Sequence, residues 1–467
     1  MVENCSQNPN GLSSPIETRL FINGQFQSSS DGKTFDLINP FTRASVAEVS
    51  QATEEDGRIY SQASSSDPRV FGRFARLESL STGKPVSRYI DAGAAADTFS
   101  YFAEAGWTVQ GTSSLNTPGH FNMTVKQPYG VVACIIPWNV PMAFFAFKAA
   151  PALAAGNTVV LKSSEKAPLT VISTGSKIDS SSWFPTRCYQ CRLRFGTPTG
   201  SALASHMDVR CLSFTGSSFS GQKIQTAAAA SNMKVVHMEL GGKSPALIFD
   251  DADLESAAQQ TQFSIGFLSG QTCMVNSRIY VQESVAEKFL TLFKEKFGTA
   301  ATLGNPLEQG TSHGPQVDEM QYERVKSYLA IGEKDGELSM GGDAEDGYFI
   351  KPTVFQDVPE DSRIVKEEVF GPVVVVNTFK TEEEAIEKAN SSEFGVYASI
   401  FTKDLDRAVR TSKLLEAGTV GVNSTSPTTA KDMPCGGYKM SGIGREGFTH
   451  SLDSFLETKT ILIKIGS

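Results

Sequence analysis

The feature that most constrains the fold is an apolar run from Tyr129 to Phe147, which carries almost no charge over a length close to that of a membrane span. Pro137, Asn139 and Pro141 interrupt this run, and Lys148 closes it. Because proline lacks a backbone donor and breaks regular structure, the run predicts a buried strand, a turn and then a core helix. A membrane-spanning helix is therefore not expected.

Two other segments, Val159–Lys162 and Ala246–Phe249, are also strongly apolar without alternation. Such strands are typical of parallel sheets that helices cover on both faces. Leu20–Phe26 and Thr34–Ile38 predict a strand hairpin, and Ile461–Ile465 predicts a terminal strand. Periodic segments predict helices at Asp91–Phe102, Glu283–Phe297 and Glu382–Ala389. The sequence therefore predicts an α/β protein.

Length, net charge and cysteine count limit the domain number, the partners and the cellular compartment that we expect. A length of 467 residues indicates about two or three domains. The net charge of −9 argues against nucleic acid or an anionic membrane as a partner. Seven cysteines are too few, and odd in number, for a disulfide scaffold, which favours a reducing compartment. Residues 1–19 are polar and predicted to be disordered, without a secretory h-region, so we expect a cytoplasmic protein.

Three stretches carry possible chemistry, and each also has a structural explanation. Gly270 could form a tight turn that presents the thiol of Cys273, although most free cysteines are simply buried. Glu239 lies in an apolar setting that would raise its pKa and make it a base, or its carboxylate could merely bond nearby glycine amides. Asn139, between two prolines, could stabilise an oxyanion or satisfy turn amides.

Thiol, carboxylate and amide are the parts of a covalent acyl-enzyme mechanism. Together with Glu367-Glu368 before Phe370-Gly371-Pro372, the stretches Met238–Pro245 and Gly270–Cys273 resemble the NAD(P)-dependent aldehyde dehydrogenase family. The resemblance extends from Leu20–Gly24 to Glu457–Thr460, although Met274 and Val275 replace the small residues that the family usually has after the cysteine.

The resemblance implies a Rossmann-like cofactor domain, an α/β catalytic domain centred on Cys273 and a small β oligomerisation arm. The implied boundaries are 20–117 and 129–240 for the NAD-binding domain, 241–440 for the catalytic domain, and 118–128 with 456–467 for the arm.

The resemblance also implies roles for individual residues. Cys273 would be the nucleophile, Asn139 and the Cys273 backbone N–H would hold the oxyanion, and Glu239 would activate the hydrolytic water. The implied cofactor contacts are Trp138, Lys162, Glu165, Gly216, Ser217, Glu368 and Phe370. The implied substrate tunnel contains Val140, Phe144 and Phe147, with the loop Ser424–Lys431 opposite. For Glu368 the alternative is a solvated acidic cluster with Glu367.

These roles predict oxidation of an aldehyde to a carboxylic acid. Glu165 would favour NAD over NADP, because a carboxylate accepts from ribose hydroxyls and repels a 2′-phosphate. The tunnel residues imply an apolar or aromatic aldehyde, and the arm implies a homodimer or homotetramer. We expect no metal, since the pair Cys188 and Cys191 has no second pair of ligands. The remaining cysteines are interpreted as structural or incidental: Cys5, Cys134, Cys211 and Cys435.

Two stretches depart from the family pattern. Gly57–Phe74 is too short for the helical pair expected there, and Lys177–Phe195 has no family resemblance. However, Trp183–Phe195, back-translated and read one base later, gives Gly-Phe-Pro-Pro-Gly-Val-Ile-Asn-Val-Val-Ser-Gly and then Phe, which resembles the family. We interpret this segment as frame-shifted, by a real lesion or a wrong gene prediction. The alternative function is therefore a catalytically impaired member that binds ligands without turnover.

Overall fold

The computed structural model describes residues 16–22, 25–51, 68–178, 189–193 and 196–465. The predicted disorder before residue 16, the helix start at Thr53 and most of Gly57–Phe74 lie outside these ranges. The helices of the described residues are α1 Pro68–Thr82, α2 Asp91–Ala105, α3 Pro141–Ala154, α4 Leu169–Ile178, α5 Ser201–Ser205, α6 Ser218–Ala230, α7 Leu254–Gly266, α8 Ala286–Ala300, α9 Glu319–Asp335, α10 Arg363–Lys366, α11 Glu382–Asn390, α12 Leu405–Leu414 and α13 Phe448–Ser454.

The strands of the same residues are β1 Leu20–Ile22, β2 Gln25–Gln27, β3 Thr34–Ile38, β4 Ser45–Ser50, β5 Ser113–Ser114, β6 His120–Pro128, β7 Val131–Ile135, β8 Thr158–Ser163, β9 Tyr189–Leu193, β10 Val209–Thr215, β11 Val235–Glu239, β12 Ser244–Ile248, β13 Asn276–Gln282, β14 Glu337–Met340, β15 Ala344–Glu345, β16 Phe349–Ile350, β17 Thr353–Gln356, β18 Val373–Phe379, β19 Phe394–Gly395, β20 Tyr397–Phe401, β21 Thr419–Val422, β22 Tyr438–Lys439, β23 Gly442–Ile443 and β24 Leu456–Lys464.

The first large sheet has the order β2-β1-β9-β8-β7-β10-β11-β23. Its five central strands, from β9 to β11, are parallel, while β1, β2 and β23 pair with their neighbours antiparallel. Helices α1–α4 contribute to the apolar core that includes Val132 and Leu161, and α5 and α6 contribute to the core that includes Ala133 and Leu212. The sheet is therefore covered on both faces, as the unbroken apolar strands predict.

The second large sheet has the order β14-β17-β18-β13-β12-β20-β21. All of its strands are parallel except β14, and α7 and α8 pack with β12, β13 and β18 in one apolar cluster. Asp253 caps α7 as predicted, because its side chain accepts from the backbone N–H of Ser256 at 3.1 Å. With two parallel sheets and covering helices, the prediction of an α/β fold is confirmed.

A separate antiparallel sheet has the order β24-β6-β5. Strand β24 pairs with β6 along its whole length, from Leu456 opposite Pro128 to Lys464 opposite His120. The predicted terminal strand is thus longer at its start than expected. Smaller pairs are β3 with β4, β15 with β16 and β19 with β22. Within the described ranges no helix is both long and apolar enough for a membrane span.

The predicted N-terminal hairpin has the wrong pairing. β1 pairs with β2, and Thr34–Ile38 pairs instead with Ser45–Ser50. The sequence contains the reason, because Asn23-Gly24 between β1 and β2 is the strongest short hairpin signal. Within the anomalous segment, β9 is an internal strand between β8 and β1, with Val159 opposite Tyr189 and Lys162 opposite Arg192. Residues 179–188 and 194–195 lie outside the described ranges.

Candidate active site

A short linker joins the two large sheets at the candidate site. Strand β11 of the first sheet ends at Glu239, and β12 of the second sheet begins at Ser244. Leu240–Lys243 therefore passes directly from one sheet to the other. Glu239, the candidate base, ends a strand of the first sheet. Cys273, the candidate nucleophile, follows β12 and α7 of the second sheet.

Two glycines of this linker permit close packing. A Cβ added at Gly241 would lie 2.5 Å from Oε2 of Glu368, and one added at Gly242 would lie 2.0 Å from the backbone oxygen of Cys273. No side chain fits at either place without displacing these groups. The linker thus holds a carboxylate and the nucleophile segment next to each other.

The turn before Cys273 has an unusual backbone. Leu268, Ser269 and Gly270 all have positive φ, at 49°, 55° and 77°. Two consecutive non-glycine residues in the left-handed region are strained, and such strain persists only where the surroundings enforce it. A Cβ at Gly270 would lie 2.0 Å from the backbone oxygen of Gly371. The prediction of a tight, closely approached turn is confirmed, although the close neighbour is the chain itself.

The buried side chain of Gln271 holds this turn in place through three hydrogen bonds. Its side-chain nitrogen donates to the backbone oxygens of Leu268 at 3.1 Å and Pro315 at 3.4 Å. Its side-chain oxygen accepts from the backbone N–H of Val317 at 2.9 Å. The buried amide thereby fixes the strained turn against a neighbouring loop.

Asn139 reaches the same turn from the first sheet. It lies between β7 and α3, where Pro141 occupies the first helical position. Its Nδ2 donates to the backbone oxygen of Gln271 at 3.0 Å, and its Oδ1 is buried without a partner among the described residues. The simpler explanation, that Asn139 only satisfies local turn amides, does not account for this contact across the sequence.

Glu239 is partly buried, and its environment favours the protonated form. Burial and the neighbouring carboxylate of Glu446 raise the pKa of Glu239 to about 7, against opposing effects that include the Lys148 charge. Lys148 is fully buried and donates to Oε1 of Glu446 at 2.6 Å and to Oγ of Ser213 at 3.0 Å. Glu239 can therefore take up or release a proton near neutral pH.

The thiol of Cys273 faces two carboxylates. Burial, then Glu239, then Glu368, raise its pKa above the usual value for a cysteine. The group is therefore a neutral thiol in the ligand-free protein, and a base or a nearby positive charge must assist ionisation. The Cys273 thiol is thus close enough to the carboxylates of Glu239 and Glu368 to interact with both electrostatically.

The two adjacent glutamates before Phe370 have different environments. The Glu367 side chain is 43% exposed and forms a bidentate pair with Arg363, and it accepts from the Tyr328 hydroxyl at 2.6 Å. Glu368 instead accepts from the backbone N–H of Gly242 at 2.9 Å, and burial raises its pKa to about 6. The alternative of a solvated cluster is therefore wrong for Glu368.

Phe370 and Trp138 form an aromatic pair beside these groups. Their ring centroids are 5.4 Å apart in an edge-to-face arrangement. Phe370 has a φ of 61°, and its backbone oxygen accepts from the Gln321 side chain at 2.9 Å. The structure thus brings these two predicted cofactor contacts together.

The other predicted cofactor contacts lie at the carboxyl edge of the first sheet. Lys162 is in β8, and its Nζ is 3.6 Å from Oε2 of Glu165. Gly216 follows β10, and a Cβ there would lie 2.5 Å from the ring of Phe214. Ser217 caps α6 by accepting from a backbone N–H at 3.2 Å. Because β8, β7 and β10 are neighbouring parallel strands, these residues follow the same edge of the sheet.

The predicted substrate residues lie at the start of α3. Val140 is the residue that precedes the helix, and the rings of Phe144 and Phe147 are 6.1 Å apart in an edge-to-face arrangement. Val140 and Phe147 are partly buried, whereas Phe144 is buried. One apolar strip of the helix thus begins next to Asn139.

The loop Ser424–Lys431 is attached to the nucleophile segment. Oγ of Ser426 donates to the backbone oxygen of Met274 at 2.7 Å, and it lies 2.6 Å from Oγ of Ser264 on α7. The loop therefore approaches the site next to Cys273. Within the described ranges, no three His, Cys, Asp or Glu side chains are grouped as metal ligands.

Comparison with known proteins agrees with this geometry. The model of the aldehyde dehydrogenase family matches residues 69–461. The chain belongs to the aldehyde dehydrogenase family. An aldehyde dehydrogenase of Davidiella tassiana is 40% identical over 479 aligned residues, which cover 96% of each chain. Human retinal dehydrogenase 2 is 38% identical over 96% of this chain and 92% of its own.

Solved structures show that the chain has the aldehyde dehydrogenase fold. Gamma-glutamyl-gamma-aminobutyraldehyde dehydrogenase of Burkholderia cenocepacia has a TM-score of 0.91 at 35% identity, covering 97% of this chain and 98% of its own. The indole-3-acetaldehyde dehydrogenase AldA of P. syringae, in complex with NAD⁺ and IAA, has a TM-score of 0.91 at 34% identity, with the same coverage.

For this aldehyde dehydrogenase, sequence reasoning missed the pair Lys148 and Glu446. In the sequence Lys148 only marks the end of an apolar run, and no pattern marks Glu446. A fully buried lysine is rare unless it is paired, so a single charge within an apolar core helix is the signal that points to a partner. That the partner lies 298 residues away could not be read from the sequence.

Cys435, which the sequence predicts to be structural or incidental, lies beside the candidate base. Its Sγ lies 3.7 Å from Oε1 of Glu239, within the range of a thiol hydrogen bond. Strand β23 runs antiparallel to β11 and brings this part of the chain beside Glu239. Cys134 and Cys211 are buried and form no disulfide.

Proposed function

We propose that this aldehyde dehydrogenase oxidises an aldehyde to a carboxylic acid with NAD, through a thiohemiacetal and a thioester on Cys273. One observation carries the proposal: the Cys273 thiol interacts with the partly buried carboxylates of Glu239 and Glu368, and it follows directly after a strained turn to which the Asn139 amide is bonded. These groups are a nucleophile, a base and an oxyanion donor in one place.

The carboxyl edge of the first sheet fits NAD. Gly216 and Ser217 lie at the N-terminus of the 13-residue helix α6, where backbone N–H groups favour a pyrophosphate. Glu165 would accept from the adenosine ribose, with Lys162 beside it, and would repel the 2′-phosphate of NADP. The related AldA is in complex with NAD⁺. When bound, the cofactor would supply the hydride acceptor, held by Glu368, Trp138 and Phe370.

The first step is attack of sulfur on the aldehyde carbon. Because the Cys273 thiol is neutral, its proton must leave to solvent as the C–S bond forms. One hydrogen of the Asn139 amide is bound to Gln271, which leaves the other for the developing oxyanion. Loss of such a donor costs roughly 3–4 kcal/mol of barrier.

Departure of hydride from the thiohemiacetal carbon leaves a thioester on Cys273. Glu239 then removes a proton from water as the water oxygen attacks the thioester carbon. The C–S bond breaks to release the acid, and Glu239 returns this proton to the leaving sulfur, which restores the thiol. One aldehyde and one water are consumed for each carboxylic acid formed and each hydride transferred, and the proton lost by the thiol in the first step is released to solvent. Lys148 and Glu446 act on this step by setting the charge around Glu239.

The substrate is proposed to be an apolar or aromatic aldehyde. Val140 and the edge-to-face rings of Phe144 and Phe147 offer apolar surface next to Asn139. AldA, by its name, acts on the aromatic aldehyde indole-3-acetaldehyde. The loop Ser424–Lys431, attached to the nucleophile segment, would form the opposite wall.

The small sheet is proposed to join subunits into a homodimer or homotetramer. On β24, Leu462 is 63% exposed and Ile463 is 43% exposed, although both are apolar. Apolar strand surface of this kind is typical of a surface covered by another chain. We likewise propose residues 20–117 and 129–240 as the NAD-binding domain and 241–440 as the catalytic domain. A cytoplasmic location stays a prediction.

The direct test is NADH production by the purified protein against a panel of aliphatic, aromatic and charged aldehydes. The result expected is turnover of apolar and aromatic members, lost in Cys273→Ala. The alternative is a member that binds NAD without turnover, favoured by the sequence Tyr-Gln-Cys-Arg-Leu in the internal strand β9. NAD binding measured by calorimetry, with no NADH from any aldehyde, would establish that alternative.

A further inference from the structure

The candidate base has a hydrogen-bond donor that its role did not predict. Sγ of Cys435 lies 3.7 Å from Oε1 of Glu239. Among the described residues, no other side chain or backbone group donates a hydrogen bond to the Glu239 carboxylate. The second oxygen, Oε2, accepts no hydrogen bond from the described part of the chain, which leaves it free for a water molecule.

The direction of this hydrogen bond follows from charge. Burial and the carboxylates of Glu239 and Glu446 raise the pKa of the Cys435 thiol, so it stays protonated at neutral pH. An ionised carboxylate has only acceptor oxygens, and a thiol is a weak donor. The proton therefore lies on sulfur and points to Glu239 when Glu239 is ionised.

The backbone fixes the position of the thiol. Cys435 and Glu446 form an antiparallel bridge, in which each backbone N–H donates to the other's carbonyl oxygen at 2.7 Å. The Glu446 side chain is in turn bonded to the buried Lys148. The backbone that carries the thiol is thus tied to Glu446, whose side chain is part of the charged pair that also acts on Glu239.

We propose that Cys435 is a positioning residue, whose thiol holds one oxygen of Glu239 so that the other is directed to the hydrolytic water. This inference rests on the proposed role of Glu239. It concerns thioester hydrolysis and not the formation of the thioester, since the bond orients the base without contacting the substrate.

The test compares Cys435→Ala, Cys435→Ser and the control Cys211→Ala, which removes a buried thiol that does not touch Glu239. In Cys435→Ala the pH at which steady-state turnover is half-maximal on its acidic side should rise by about half a unit. At pH values below this midpoint the turnover rate should therefore be about threefold lower than in the parent. The NADH burst should be unchanged. Cys435→Ser keeps a donor, so its limb should stay at or below that of the parent. Cys211→Ala should leave the limb in place.

An infrared measurement of the S–H stretch tests the contact without turnover. The band that disappears in Cys435→Ala should move to higher frequency in Glu239→Gln, because a neutral amide accepts more weakly than a carboxylate. An unmoved band, or the same acidic limb in all three cysteine variants with the burst intact, would overturn the inference. A parent protein with no NADH burst would instead refute the proposed function.

Discussion

Removal of the Lys148 charge is the most stringent test of the electrostatics around Glu239. In Lys148→Met, the Glu446 side chain, which is only 12% exposed, keeps its charge but loses the amine 2.6 Å away. Breaking a buried pair costs about 3–5 kcal/mol. We expect about 3 kcal/mol, because Oγ of Ser213 still donates to Oε1 of Glu446 at 3.2 Å.

The same change should move the pH dependence of hydrolysis. With a pKa of about 7, Glu239 is about half ionised at pH 7 in the parent. The uncompensated charge of Glu446 disfavours ionisation of Glu239 and so raises its pKa. A rise of about one unit, equal to about 1.4 kcal/mol, leaves about a tenth ionised at pH 7, so hydrolysis there should be about five times slower. Well above the new pKa the rate should equal that of the parent.

A double variant should shift the pKa of Glu239 in the opposite direction and serves as the control. Glu446 raises the pKa of Glu239 more than Lys148 lowers it, so removing both charges in Lys148→Met with Glu446→Gln should move the acidic limb below that of the parent. The assay is the steady-state rate after the NADH burst across the pH range, with urea midpoints for stability. If the limb moves in the same direction in both variants, or does not move in Lys148→Met, the account of Glu239 is wrong.

Four further outcomes follow from the proposed function. Cys273→Ala should lower NADH production to below about a tenth of the parent while calorimetry still detects NAD binding; turnover above that level would contradict the assigned nucleophile. Glu239→Gln should slow hydrolysis more than hydride transfer, seen by rapid mixing as an NADH burst followed by a slow phase; no burst with unchanged hydrolysis would exclude Glu239 as the base. Glu165 should give a higher kcat/KM with NAD than with NADP, and the reverse preference would overturn its role. Replacing Trp183–Phe195 by Gly-Phe-Pro-Pro-Gly-Val-Ile-Asn-Val-Val-Ser-Gly-Phe should raise the melting temperature and NAD affinity, because it places apolar residues in the internal strand β9; equal melting and binding would refute the frame-shift interpretation.

The sequence predicted best those features that depend on nearby residues. The strand, turn and helix around Asn139, the cap at Asp253 and the turn at Gly270 each follow from a few consecutive residues, and each is found. The resemblance to a family then indicated which of these local features belong to one site. The different environments of Glu367 and Glu368 could not be predicted from the local sequence. They arise because the linker Leu240–Lys243 packs against Glu368 and donates a hydrogen bond to it.

Features that depend on distant chain segments were missed. Lys148 and Glu446 are 298 residues apart, and Cys435 is 196 residues from Glu239. Their contacts exist because β23 returns to the edge of the first sheet, and no periodicity in the sequence specifies that return. The error in the N-terminal hairpin is of another kind, since the sequence contains the Asn-Gly turn signal but the prediction treats Leu20–Phe26 as a single strand.

The linker Leu240–Lys243 has a consequence for how this enzyme should fail when heated. Because the base belongs to one sheet and the nucleophile segment follows a helix of the other, a slight separation of the sheets removes the base from the thioester but leaves sulfur on its own turn. Heat inactivation should therefore begin with trapped acyl-enzyme, before global unfolding. Gly241 and Gly242 allow the close packing that keeps the two sheets at this spacing. We therefore expect the stability of this packing to set the highest temperature at which the enzyme completes thioester hydrolysis.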